Sequence, residues 1–154
     1  MNHELLRLAD AVALSDPRNE PLRLAFGLAC VERVQHLLEE PGARACLATL
    51  RAFLQGKAER PALIAAEKEI AAIASSHRGS NSIDGSAHAA VSATYAAANA
   101  VAARALEAAG YAAYAAVYSY AGYAVTDPSA YENEYAWQVE KFREFLAQQE
   151  RRTD

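Results

Sequence analysis

Apolar residues recur along this chain at the three- and four-residue spacing of amphipathic helices. Proline, glycine and polar residues interrupt the pattern and divide it into about seven helical segments. These segments span about 4–14, 22–40, 43–54, 61–76, 87–109, 111–125 and 129–149. Because the connections are short, successive helices are expected to pack antiparallel. The sequence therefore predicts an all-α fold, a compact bundle that forms a single domain over residues 1–154.

The segment 87–109 is small or apolar almost all round, which is typical of a helix buried on most sides. We therefore expect it to be the centre of the bundle, with Gly110 as the left-handed residue after its end. In the next segment, 111–125, the alanines favour helix, although 117–123 also alternates as a strand does. Four tyrosines of this region have helical spacing and are expected to lie mostly in the core. They are Tyr95, Tyr111, Tyr114 and Tyr118.

Composition narrows the class of protein. About a quarter of the residues are alanine, the strongest helix former. The net charge of −4 disfavours nucleic acid as a partner and suits a basic protein. The alanine-rich stretch 87–103 contains His88 and Asn99 and is too weakly apolar for a membrane span. Reduced thiols at Cys30 and Cys46 and the absence of a signal-peptide pattern at the start predict a cytoplasmic protein.

Candidate chemistry is sparse. Cys30 and His36 lie six residues apart on different sides of one predicted helix, so they do not form a nucleophile–base pair. Glu32, His36 and Glu39 line one edge of that helix, but the order differs from the Glu-x-x-His of di-iron bundles and no second copy occurs. We expect no catalytic residue, no metal and no cofactor.

The loop 77–85 is rich in glycine and serine and leads into a helix. Such a loop can bind an anion, here with help from Arg78, but the spacing is not that of a P-loop. A surface loop used for contacts is the favoured interpretation.

Trp137 is the residue that best indicates a binding surface. It lies about 200° around the last helix from Tyr135, which belongs to the apolar stripe. An exposed tryptophan near acidic residues is typical of a protein–protein interface. The alternatives are that another element covers the ring and that the acids form an ordinary solvated helix face.

The segments 28–34 (LACVERV), 37–39 (LLE) and 94–99 (TYAAAN), continuing through 112–114 (AAY), carry a family resemblance. In their pattern and order, over about residues 22–145, they resemble the small all-α immunity proteins of bacterial polymorphic toxin systems. The resemblance implies a cytosolic protein that binds a cognate toxin and occludes its active site, without catalytic residues of its own.

We expect the toxin to contact Trp137, three acids of the last helix and two residues of the polar loop. The five residues besides Trp137 are Glu134, Glu140, Glu144, Arg78 and Asp84. Trp137→Ala is then expected to weaken toxin binding without unfolding the domain. Two other functions stay open: a small helical enzyme or ligand-binding domain that uses the loop 77–85, and a self-associating structural or adaptor module.

Overall fold

The structure is a computed structural model that describes residues 1–76, 86–120 and 127–153, and in this part of the chain it is an all-α bundle of seven helices. The helices are α1 (His3–Ala11), α2 (Glu20–Glu32), α3 (Pro41–Leu54), α4 (Arg60–Ser76), α5 (Ser86–Val101), α6 (Ala105–Tyr120) and α7 (Glu132–Thr153). Short 3₁₀ turns at Pro17–Asn19, Gln35–Leu37 and Pro128–Tyr131 join some of them. The predicted fold class is confirmed. No helix within the described ranges is long and apolar enough to cross a membrane.

Helix α5 is the centre of the bundle, as predicted. It contacts α2, α3, α4 and α6, and six of its alanines are almost completely buried. The antiparallel partner α6 has the most extensive contact with it. Alanine side chains let these two helices approach closely, and Gly27 does the same for α2, since a Cβ there would come within 3.3 Å of Ala100. Helix α7 contacts α1, α2 and α6, and its Phe142 meets Phe26 of α2 edge to face in the core.

The boundary between α5 and α6 differs from the predicted one. Helix α5 ends at Val101, and Ala103 adopts the left-handed conformation (φ 62°) that was expected at Gly110. The amide of Arg104 donates to the carbonyl of Asn99, five residues earlier, which is the 6→1 hydrogen bond of a Schellman cap. Gly110 instead lies inside α6. The prediction was wrong because Ala103, in an alanine-rich stretch, takes the left-handed position that glycine usually occupies.

One arginine stabilises this cap and a second one like it. Ala13 is also left-handed (φ 51°), at the end of α1. The side chain of Arg23 donates to the carbonyls of Leu14 and Asp16 beside that cap, at 2.7 and 2.8 Å, and to the carbonyl of Ala103 at 3.1 Å. A single guanidinium therefore satisfies carbonyl groups at two helix ends that are far apart in the sequence.

The second helix is shorter than predicted. It ends at Glu32, and a 3₁₀ turn followed by extended backbone leads to Pro41. Residues before a proline disfavour helical backbone, which explains why the helix does not reach residue 40. Glu32, His36 and Glu39 therefore do not share one helix edge, so the geometric basis of the di-iron comparison does not hold. At the other end of the chain, α7 continues to Thr153, beyond the predicted limit at 149.

Candidate partner-binding surface

Trp137 is only partly exposed and lies on the edge of the core cluster. The guanidinium carbon of Arg33 lies 4.6 Å from the centroid of the Trp137 ring, and Nζ of Lys141 lies 5.7 Å from it. Two cationic side chains thus occupy positions over the indole, which is a cation–π arrangement. The ring is neither fully buried nor freely presented, so the open surface predicted at this position is only partly found.

Glu134 is not an exposed acid, and the prediction that it lies on the surface is wrong. Its side chain is buried and accepts two hydrogen bonds from Arg33, from Nε to Oε2 at 2.7 Å and from Nη2 to Oε1 at 3.0 Å. The Tyr120 hydroxyl donates to the same carboxylate at 3.2 Å. Position 134 faces the end of α2, and Arg33, which directly follows that helix, supplies the counter-charge. In the folded chain the Glu134 carboxylate therefore pairs with Arg33 and is not exposed to a partner.

The remaining predicted contact residues divide into two groups. Glu140 and Glu144 are exposed on α7, and Glu144 accepts a hydrogen bond from Lys141 at 3.0 Å. Arg78 and Asp84 lie outside the described residues, as does the rest of the loop 77–85. The structure therefore brings Trp137, Glu140 and Glu144 onto one helix and does not test the loop.

Tyrosines form a more extensive exposed surface than the one predicted. Tyr111 and Tyr114, expected in the core, keep 41% and 36% of their surface accessible, and Tyr95 and Tyr118 are half-buried. The core face of α6 is made of alanines and Val117, so its tyrosines occupy the opposite face. We call this region the tyrosine surface. Its members are Tyr95, Tyr111, Tyr114, Tyr118, Tyr131 and Tyr135.

The rings of the tyrosine surface lie close together. Tyr95 stacks on Tyr111 with centroids 5.4 Å apart, and Tyr114 lies 5.3 Å from Tyr118. On the neighbouring element, Tyr131 and Tyr135 are 5.4 Å apart. These separations are those of favourable aromatic pairs. In each pair, one ring therefore restrains the other. Ring contacts order the surface in addition to the helices below it.

Two clefts open on this surface and meet at Gly110. One has a volume of about 400 Å³ and is lined by Ser92, Glu107, Gly110, Tyr111 and Tyr114. The other, of about 610 Å³, is lined by Met1, His3, Gly110, Tyr114, Pro128, Tyr131 and Tyr135. The described residues that line the two clefts include no lysine and no arginine. The surface therefore combines aromatic rings with one carboxylate.

The hydroxyls of Tyr114 and Tyr131 are held in their neutral form. Burial raises the pKa of Tyr114, and the neighbouring Tyr118 adds to the effect. Burial also raises the pKa of Tyr131, with further contributions from Tyr135 and Tyr114. Neutral phenols can donate and accept hydrogen bonds, which suits contacts with a protein better than acid–base chemistry.

The thiols and the potential metal ligands give no reactive arrangement in the described ranges. Both cysteines are free and buried. Burial, with the nearby Glu134 carboxylate, raises the pKa of Cys30, and burial raises that of Cys46 to about 11. Thiols of this kind are poor nucleophiles at neutral pH. No group of three or more His, Cys, Asp or Glu side chains converges in the described ranges.

The tyrosine surface was missed because tyrosines at helical spacing were assigned to the core. A usable indication was present in the sequence. Alanines occupy the opposite face of the same helix at the same spacing, and in an alanine-rich bundle the face of smallest residues is the one that packs. Comparisons of the chain with protein-family models, with curated proteins and with solved structures found no match.

Proposed function

We propose that this chain is an immunity protein that binds a cognate bacterial toxin and neutralises it by occluding the toxin's active site. The observation that carries the proposal is the exposed tyrosine surface on α5, α6 and the start of α7. The resemblance of the sequence to small all-α immunity proteins supports the same function. We further propose that the encounter takes place in the cytoplasm.

Tyrosine is among the residues most enriched in protein interfaces, because one end of the side chain is apolar and the other forms hydrogen bonds. Interface residues that dominate affinity are typically aromatic and lie at the centre of the buried patch. Tyr114 lines both clefts and Tyr111 lines the smaller one, and these two residues are the most exposed of the tyrosine surface. We place the centre of the proposed interface at these two residues.

The surface around Trp137 stays a candidate for additional contacts. Glu140 and Glu144 are exposed there and would favour a basic toxin surface. Because Trp137 and Tyr135 lie on different faces of α7, the two surfaces can be tested with separate substitutions. Loss of binding in one set of variants and not the other assigns the interface.

Self-association is the second candidate, and the same tyrosine surface favours it. An exposed aromatic patch can be covered by a second copy as well as by a different protein. The molecular mass in solution distinguishes the two cases, since a stable dimer doubles it. Substitution of Tyr111 and Tyr114 by alanine would then restore the monomer.

The decisive experiment is growth rescue. The product of the gene next to this one is expressed in bacteria, with and without this chain, and growth arrest and its relief are recorded. The affinity of the purified pair is then measured by calorimetry for the native chain and for Tyr111→Ala/Tyr114→Ala. We expect rescue by the native chain and a loss of affinity of about tenfold or more in the double variant.

Ile64→Ala is the matched control, because Ile64 is an exposed apolar residue on α4 that lines neither cleft. Its affinity should equal that of the native chain. Circular dichroism must show the same helicity for all three proteins. A neighbouring toxin that this chain fails to neutralise would contradict the proposed function, and full affinity in the double variant would contradict the proposed interface.

A further inference from the structure

The smaller cleft of the tyrosine surface has the features of a binding site for a cationic side chain. Four of its lining residues, Glu107, Gly110, Tyr111 and Tyr114, share one face of α6 at spacings of three, four and seven. Ser92 of α5 completes the cleft. The cleft, of about 400 Å³, is therefore lined by a carboxylate, two tyrosine rings and a hydroxyl.

Gly110 is the first indication that the space is used. It lies in the middle of α6, where glycine is less favourable than alanine by about 0.5–1 kcal/mol. The fold does not require it, because a Cβ at this position would meet no atom within 4 Å and the backbone is helical. The missing side chain keeps the two clefts open to each other.

Ser92 is the second indication. Only 8% of the residue is accessible, yet its hydroxyl has no hydrogen-bond partner among the described residues. Buried polar groups are satisfied in most proteins, so an unpaired hydroxyl at the wall of a cleft suggests that a ligand group pairs with it. The hydroxyl can accept a hydrogen bond from a cation.

The same fold twice holds a guanidinium between a carboxylate and an aromatic ring. The two sets are Arg33 with Glu134 and Trp137, and Arg60 with Glu20 and Phe53. In the first set the ion-pair distance is 2.7 Å and the guanidinium carbon is 4.6 Å from the ring centroid. In the second the distances are 2.6 and 4.9 Å. This combination is a recurrent way of binding arginine in this protein.

Glu107 and the adjacent tyrosines offer the same combination without the cation. The Glu107 side chain is exposed and has no ion-pair partner among the described residues. Tyr111 and Tyr114 line the cleft beside it. The first turn of α6 does benefit from an acidic residue through the helix dipole, but that role requires neither rings nor a cavity.

We propose that this cleft receives an arginine side chain of the toxin. The guanidinium would lie against the rings of Tyr111 and Tyr114, pair with Glu107 and donate a hydrogen bond to Ser92 Oγ. A planar guanidinium suits this site better than an ammonium group, because it stacks on an aromatic ring and pairs with a carboxylate at the same time. The inference specifies a contact within the proposed toxin interface and in that sense rests on the proposed function.

The test uses a small probe, so it does not depend on the toxin. N-acetyl-arginine N-methylamide is titrated into the isotope-labelled chain, and the amide signals of Gly110 and Ser92 are followed by NMR. The citrulline analogue, of similar shape but uncharged, is the matched probe. We expect saturable shifts at these two residues with arginine, with a Kd on the order of millimolar, and none with citrulline.

Two variants locate the site. Glu107→Gln should weaken the arginine probe about threefold, whereas Glu67→Gln, on an exposed position of α4 that lines neither cleft, should leave it unchanged. Gly110→Leu should abolish the shifts by filling the cleft, and it should leave the fold intact because nothing lies within 4 Å of the added Cβ. Equal binding of citrulline, or full binding in either Glu107→Gln or Gly110→Leu, would overturn the proposal.

The outcomes separate this inference from the proposed function. If a toxin is neutralised through Tyr111 and Tyr114 but the arginine probe does not bind, the function stands and the arginine site is refuted. If the probe binds in a manner that depends on Glu107 but no toxin is neutralised, the arginine site stands and the immunity function is refuted.

Discussion

The guanidinium of Arg33 and the carboxylate of Glu134 form a paired, two-bond contact between the end of α2 and the start of α7, with distances of 2.7 and 3.0 Å. The carboxylate is buried, whereas the arginine side chain keeps 35% of its surface accessible. The hydrogen bond to Glu134 and the negative charge of its carboxylate raise the pKa of Arg33, so the guanidinium stays charged. The two members therefore differ in what their removal leaves behind.

Arg33→Ala should destabilise the fold by about 3 kcal/mol, because it leaves a buried carboxylate without its cation. Glu134→Gln should cost less, about 1 kcal/mol, because the remaining arginine reaches water. Urea denaturation followed by circular dichroism measures both. Arg51→Ala is the matched control, since its ion pair with Glu32 is exposed and should contribute under about 1 kcal/mol. Equal losses for Arg33→Ala and Arg51→Ala would refute a special role for the buried pair.

Trp137→Ala should reduce the free energy of unfolding by about 2 kcal/mol, because the indole is half-buried against the core and lies under Arg33. The helical content at room temperature should stay that of the native chain. Thermal denaturation checks the first expectation and circular dichroism the second. Calorimetry with the toxin then tests the predicted interface role, and unchanged affinity would remove Trp137 from the contact surface. An unaltered unfolding temperature would contradict the contacts described for the ring.

Two substitutions at alanine and glycine should both stabilise the protein. Ala103→Gly relieves the left-handed alanine at the end of α5, and Gly110→Ala removes a flexible residue from the middle of α6. Each should add about 0.5–1 kcal/mol to the free energy of unfolding. Chemical denaturation measures the gains. The control is Gly27→Ala, which should destabilise, because its Cβ would come within 3.3 Å of the Ala100 backbone. Destabilisation by Ala103→Gly would show that α5 does not end there.

The thiol of Cys46 should be unreactive in the native state and should make stability sensitive to alkaline pH. Its pKa is raised from 9.0 to about 11 by burial, so the fold favours the neutral thiol. This contribution is complete below pH 9 and is lost as the pH rises from 9 towards 11. Ellman's reagent at pH 8 should label neither cysteine until denaturant is added. In Cys46→Ala the stability loss over that pH interval should be smaller; an identical loss would exclude Cys46 as its source.

The all-α class and the central position of α5 could be predicted because apolar periodicity and alanine content both favour packed helices. Helix ends were less predictable. The end of α5 depends on Ala103, which follows another alanine, and on Arg23, which donates to its carbonyl from 80 residues away. Arg33, directly after the end of α2, pairs with Glu134 from 101 residues away. Local sequence patterns contain no record of such long-range contacts.

The candidate site was less predictable than the fold for a related reason. Angular position on α7 separated Trp137 from Tyr135 but assigned the wrong one to the core. Trp137 packs against the core cluster, whereas Tyr135 lines a cleft of the tyrosine surface. Arg33, which directly follows α2, pairs with the buried Glu134, and the spacing of acids in α7 cannot reveal this contact. Conversely, alanines suffice to fill the core side of α6, which leaves Tyr111 and Tyr114 outside.

The alanine face of α6 has a consequence for molecular recognition. Its buried residues are alanines and one valine, and an alanine side chain has no rotamers to lose or to exchange. The side chains under the tyrosine surface therefore cannot change rotamer when a partner binds. Little side-chain conformational entropy is lost there on association. Only the tyrosine side chains, each with two rotatable bonds, can adjust to the shape of a partner. This surface should therefore discriminate sharply between related partners.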